Sequence, residues 1–155
     1  MKLYLFSYGS NMSLREFHKY GIRRARVVDT GYVRDYTFKY RHIANRKLSA
    51  KATIEPRPGT RVYGTVTELT LRSHKDLFKL HCKEGYYAGV YDFVPITVIS
   101  SRTRKPCRCY TYVMTRHGKG RAGRPSRRYL DKLLRAAVRY RLPKPYVTSF
   151  LLNQG

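Results

Sequence analysis

Apolar and polar positions along the chain alternate mostly with a period of two, and shift to helical spacing near its end. Leu3, Leu5 and Ser7 alternate with Tyr4, Phe6 and Tyr8, which predicts a strand broken at Tyr8, Gly9, Ser10 and Asn11. Ser13 with Glu16 three residues on is a capping-box pattern and predicts a short helix over 14–20, stopped by Gly21. Residues 27–40 are rich in aromatic and β-branched side chains and predict one or two strands, followed by a basic loop over 41–51. A short strand over 52–55 then meets a turn at Pro56, Arg57, Pro58 and Gly59. Val62, Gly64 and Val66 share one face of a strand over 62–69, and a glycine there predicts close approach by another backbone.

The second half begins with Ser73, placed to cap a helix that carries Leu77, Phe78 and Cys82 and ends at Gly85. Residues 86–99 predict a bent strand in which Pro95 confines part to an edge or bulge. Residues 108–115 pair with it as a hairpin across 100–106. A flexible cationic loop over 117–124 leads to Pro125, suited to a first helical turn, and to one long helix over 127–142. Leu130, Leu133, Leu134, Ala137 and Val138 form its apolar stripe, while Arg128, Lys132, Arg135 and Arg139 form a ridge about 16 Å long on another face.

Size and composition narrow the class. A chain of 155 residues suits a single domain, 1–155, with a real core. It holds no run near the ~20 apolar residues of a membrane span, and its first residues are too few for a secretory leader. Three cysteines do not make a disulfide framework, and Cys107 and Cys109 fall on the same face of one strand, so reduced thiols in an intracellular, reducing compartment are expected. His81 and Cys82 lack the Cys-x-x-Cys spacing of a structural zinc site, so no metal is expected.

Charge changes the picture most. Thirty-three Lys and Arg against nine Asp and Glu give +24, spread over a chain that also holds 15 Tyr and 6 Phe. Self-repulsion of that size opposes compactness and points to a polyanionic neighbour rather than a disordered basic arm. Nucleic acid is favoured over an anionic membrane, because no segment pairs a basic face with an exposed apolar one. The ridge of Arg128, Lys132, Arg135 and Arg139, with only Asp131 nearby, is the candidate contact; its ordinary alternative is a solvated helix face. Such a chain is expected in a nucleic-acid-rich particle such as a ribonucleoprotein or virion.

The loop after the first strand carries the candidate small-molecule chemistry. Small residues running into a helix leave backbone N–H groups that suit a carboxylate or phosphate, although strand–turn–helix connections are also common without any ligand.

Several short motifs follow in a fixed order: Tyr8, Gly9, Ser10, Asn11 after the first strand; Ala52, Thr53, Ile54; Val62, Tyr63, Gly64; Lys83, Glu84, Gly85 with Gly89, Val90, Tyr91; the stretch from Cys109 to Thr115; and Pro125, Ser126 with Tyr129, then Leu142, Pro143 and Tyr146. In this the chain resembles the gamma-glutamylcyclotransferase-like (AIG2-like) family nearly end to end. The resemblance implies an α+β fold, a small mixed β-barrel flanked by helices, and cyclisation of a small gamma-glutamyl amine or peptide to 5-oxoproline without a cofactor. It implies Glu84 as the acid and base, with substrate held by Ser7, Tyr8, Gly9, Ser10, Asn11, Tyr91, Tyr129 and Tyr146. The +24 charge, which that chemistry does not need, keeps a second reading open: a catalytically idle, basic member of the fold that binds nucleic acid.

Overall fold

The opening alternation becomes strand β1 (Lys2–Ser7), and it sorts the core into two parts. A computed structural model describes residues 1–152, and the side chains of residues 1–149. Leu5 points into a cluster with Phe17, Ile22, Leu69, Leu71, Leu80 and Tyr112, whereas Phe6 and Tyr8 point into one with Val33, Phe38, Ile54, Val62 and Leu133. Alternate side chains of one strand therefore serve two apolar layers.

The remaining strands are β2 (Ala25–Ile43), β3 (Lys51–Thr70), β4 (Tyr91–Ser100), β5 (Pro106–Met114) and β6 (Lys119–Ala122). Their order is β3-β1-β5-β4-β2-β6, and a further β3–β2 pairing closes five of them into a barrel with β6 outside the ring. The β1–β5 pair is parallel and the other pairings are antiparallel, so the barrel is mixed, as the resemblance implies. Helices α1 (Leu14–His18), α2 (His74–Lys83), α3 (Arg127–Arg139) and α4 (Lys144–Leu152) flank it.

Backbone contacts explain where the elements differ from the sequence pattern. The predicted turn at 56–59 is a bulge inside one continuous β3: Tyr36 pairs with Pro56 and Arg34 with Arg61, so the extra residues loop out opposite Asp35. Asp35 and Gly59 both take positive φ there, and the Gly59 N–H donates to the Asp35 carboxylate at 2.9 Å. The basic loop is shorter than 41–51, because Arg41, His42 and Ile43 remain in β2 and Lys51 starts β3. Half of the flexible 117–124 loop is β6, paired to β2; a Cβ at Gly120 would lie 2.7 Å from the His42 carbonyl oxygen, so glycine permits this close pairing. Gly64 behaves as its position predicts, since a Cβ would stand 2.1 Å from the Ser7 carbonyl oxygen.

Helix α1 ends at His18, with Gly21 at φ +80° completing the stop. The capping box does not form: the Ser13 side chain makes no cap bond, and Glu16 turns instead to Lys132 and Lys19. Ser73 does cap α2, accepting from the Lys75 N–H at 3.2 Å. The buried face of α2 is Asp76, Leu80 and His81, while Phe78 and Cys82 are exposed and Leu77 is half-buried. Strand β4 starts at Tyr91, after turns over 86–90. Pro125 lies before Ser126, the true N-cap of α3, whose hydroxyl accepts from the Tyr129 N–H. On α3 the apolar stripe takes in Ala136 and leaves Val138 72% exposed, and the helix closes at Arg139.

Candidate active site

Strand β1 delivers Ser7 and Tyr8 to the end of the barrel, and a single 3₁₀ turn (Ser10–Met12) brings Ser10 and Asn11 after them. Helix α2 ends beside that loop with Glu84 as its C-cap and Gly85 at φ +69°. Between them is a cavity of about 410 Å³. Ser7, Tyr8, Gly9, Ser10, Asn11, Glu84, Tyr91 and Tyr129 all line it, so the structure gathers the predicted acid and all but one of the predicted binding residues. Tyr146 is not in the lining; it packs against Tyr63 with ring centroids 5.2 Å apart.

Glu84 faces the loop through a closed set of contacts. Its Oε1 accepts from the Asn11 side-chain amide and from Lys83 Nζ at 2.7 Å, and Lys83 also donates to Asn11 Oδ1. Lys83 is only 7% exposed at its side chain, so this pair is shielded from water and its geometry is fixed.

The phenols around it stay protonated, but they use their hydroxyls differently. Burial first, then Tyr129 and Glu84, hold Tyr8 well above the usual phenol range, and burial first, then Tyr8, Tyr129 and Glu84, do so for Tyr91. The Tyr8 hydroxyl donates to the Tyr112 carbonyl, and Tyr91 donates to the Ala52 carbonyl at 2.9 Å. The Tyr129 oxygen instead accepts from the Ala52 N–H at 3.1 Å and is also hydrogen-bonded to the Ser10 side chain; burial pushes this phenol up to about 12. Gly9 lets the loop lie against this group, since a Cβ would meet Ala52 Cβ at 3.2 Å and the Tyr129 hydroxyl at 3.3 Å.

The cavity also contains charged residues that the sequence pattern does not assign to it. Lys51, Lys83, Lys132 and Arg46 outnumber Glu16 and Glu84 in its lining. Lys132 belongs to the proposed basic ridge but turns inward to Glu16 at 3.0 Å, leaving Arg128, Arg135 and Arg139 exposed on α3. Lys51 stands over the Tyr129 ring at 4.5 Å, its pKa lowered by burial and then by Lys132. The Ser7 hydroxyl is buried at the cavity and has no hydrogen-bond partner among the described residues. One signal for Lys132 is in the sequence: it lies three residues beyond Tyr129, on a neighbouring face of the same helix. No group of three or more His, Cys, Asp or Glu that could hold a metal occurs among the described residues, and Cys107 and Cys109 are free thiols with sulfurs 3.8 Å apart.

A closed mixed barrel with this cavity at one end has the gamma-glutamyl cyclotransferase-like fold. A solved structure described as a gamma-glutamyl cyclotransferase superposes with a TM-score of 0.84 at 22% identity, over 97% of this chain and 87% of its own. An uncharacterized protein from Homo sapiens gives 0.82 at 23% identity, over 97% and 86%. A gamma-glutamyl cyclotransferase specific to glutathione from yeast gives 0.67 at 12% identity, over 98% and 95%. A search of curated protein sequences finds no significant match. The chain belongs to the AIG2-like family, whose sequence model matches residues 61–150, a span that holds Glu84, Tyr91 and Tyr129.

Proposed function

We propose that this protein cyclises a gamma-glutamyl amine or peptide to 5-oxoproline and releases the amine. The observation that carries the reading is the largely buried Glu84 carboxylate, which lines the cavity together with the 8–11 loop and is bonded to the Asn11 amide and the Lys83 ammonium. In this reading the substrate's α-carboxylate lies against the loop backbone and Ser7, and its α-ammonium exchanges with Lys83 on Glu84. Glu84 takes one proton from the ammonium, and the freed amine attacks the γ-carbonyl carbon. The new C–N bond closes a five-membered ring, and the carbonyl π electrons move to oxygen. Tyr129, which lines the cavity beside the loop, donates to that oxyanion. Collapse of the oxyanion breaks the original C–N bond as Glu84 returns its proton to the leaving nitrogen, and the carboxylate so restored carries the second proton of the ring nitrogen to the released amine, which departs as an ammonium. The substrate supplies the nucleophile, so the protein contributes orientation and one proton shuttle.

The test is 5-oxoproline release from a panel of gamma-glutamyl amino acids, gamma-glutamyl alkylamines and glutathione. Release from at least one member is expected, and no release from any of them would overturn the reading.

A further inference from the structure

A second feature lies outside the cavity, on the outer face of α2, β4 and β5. There Phe78, Tyr87, Tyr86, His81, Phe93 and Tyr110 form an unbroken chain of ring contacts. Successive centroids are 5.1, 5.2, 4.4, 4.9 and 4.7 Å apart. His81 is buried at its middle, but Phe78 is 55% exposed, Tyr87 58%, Tyr86 38% and Tyr110 40%. Among the described residues these are four of the five exposed Phe and Tyr rings, Tyr20 being the fifth. Rings of this size cost free energy when left in water, and such a concentration marks a contact surface.

The charge around the ladder says what it contacts. Among the described residues nine of the 33 Lys and Arg form an ion pair with a carboxylate, so positive charge there far exceeds its paired acids. Lys75 and Lys79 flank Phe78 on α2, and Arg108 lies two residues from Tyr110 on the same face of β5. Beyond Arg108 the face continues into a groove of about 790 Å³ lined by Arg34, Tyr36, Pro95 and Thr97. Asp92, next to Phe93, and the buried Asp76, 3.9 Å from Lys79, are the acidic exceptions along this path.

We infer that this face is a binding site for single-stranded nucleic acid, with Phe78, Tyr87 and Tyr110 stacking bases and Lys75, Lys79, Arg108 and Arg34 following the phosphates. A single strand is the occupant because its base faces are open to stacking, whereas a duplex hides them. The inference is independent of the cyclotransferase reading. It also differs from a contact through α3, where exposed arginines occur with Tyr140 but without a comparable ladder.

The experiment is fluorescence anisotropy of the full chain with labelled oligothymidylate, oligouridylate and a mixed-sequence duplex, over a series of salt concentrations. Single strands should bind more tightly than the duplex. Tyr110→Ala and Tyr87→Ala should each weaken single-strand binding about five-fold or more with an unchanged salt slope. Tyr110→Leu, which keeps the apolar contact with Phe93, should weaken it similarly and so separate stacking from local folding. Arg108→Gln should flatten the salt slope by about 0.7. Ring variants that bind like wild type, or a duplex bound as tightly as a single strand, would overturn the proposal.

Discussion

Tyr8, Tyr91 and Tyr129 around the cavity and Tyr86, Tyr87 and Tyr110 on the outer ladder are the same side chain put to different uses. The first three are fixed through their hydroxyls, two donating to carbonyls and one accepting from an N–H, and burial keeps them protonated. The ladder tyrosines meet their neighbours through their rings and expose a large share of their surface. In a chain with 15 tyrosines the residue type says little; what the hydroxyl is bonded to separates a proton donor from a stacking surface.

The sharpest way to break that comparison is Tyr129→Phe. Removing the one phenol of the three that is not spent on a backbone carbonyl should lower kcat roughly 100-fold. Leaving the Ala52 N–H without its acceptor should cost about 1–2 kcal/mol in denaturant unfolding. Tyr91→Phe, which loses only a bond to a carbonyl, should cost about 1 kcal/mol and leave kcat within a few-fold. Equal loss of turnover in the two variants would erase the distinction.

Gly9→Ala should come next. Its new methyl would press on Ala52 and on the Tyr129 hydroxyl, at 3.2 and 3.3 Å, and should cut turnover about 10-fold by misplacing that donor. A turnover like that of wild type would mean that the loop and Tyr129 act independently.

A pH series checks the ion pairs of the cavity wall. Burial opposes ionisation of Glu16, but the hydrogen bond and charge of Lys132 outweigh it and hold the carboxyl below its usual range. A lowered folded value means that Glu16 contributes stability above its unfolded pKa of about 4.3, and loses it as pH falls through the folded value. The wild-type melting temperature should therefore drop more steeply below about pH 4.5 than that of Lys132→Met. Parallel curves would show that the pair contributes nothing.

The smallest effect belongs to the ladder. Tyr110→Ala should leave 5-oxoproline release unchanged and stability within about 0.5 kcal/mol, because its ring is partly in solvent. A large loss of turnover would tie the ladder to the cavity.

Much of this was legible wherever backbone sterics or a short period decide the outcome. Leu5 and Phe6 reveal the two faces of β1 by alternation, and Gly64 marks where β3 crosses close to Ser7. The 8–11 loop and Glu84 follow from a motif whose members converge on one cavity. The rest depends on long-range partners. Strand β6 forms because β2 offers it an edge, which a run of Gly, Lys and Arg does not announce. Lys132 leaves the outer ridge because Glu16, released from its cap, stands across from it. Phe78 faces outward on α2 because Tyr87 supplies a ring beside it, and Tyr146 goes to Tyr63 rather than to the cavity.

The most direct test of the catalytic reading is the rate of 5-oxoproline release by Glu84→Gln under saturating substrate. Glutamine can still accept at its carbonyl oxygen from Asn11 and Lys83 but cannot shuttle a proton. With circular dichroism and melting temperature near those of wild type, kcat should fall by about 100-fold or more. Turnover by the folded variant at the wild-type rate would contradict the assignment of Glu84.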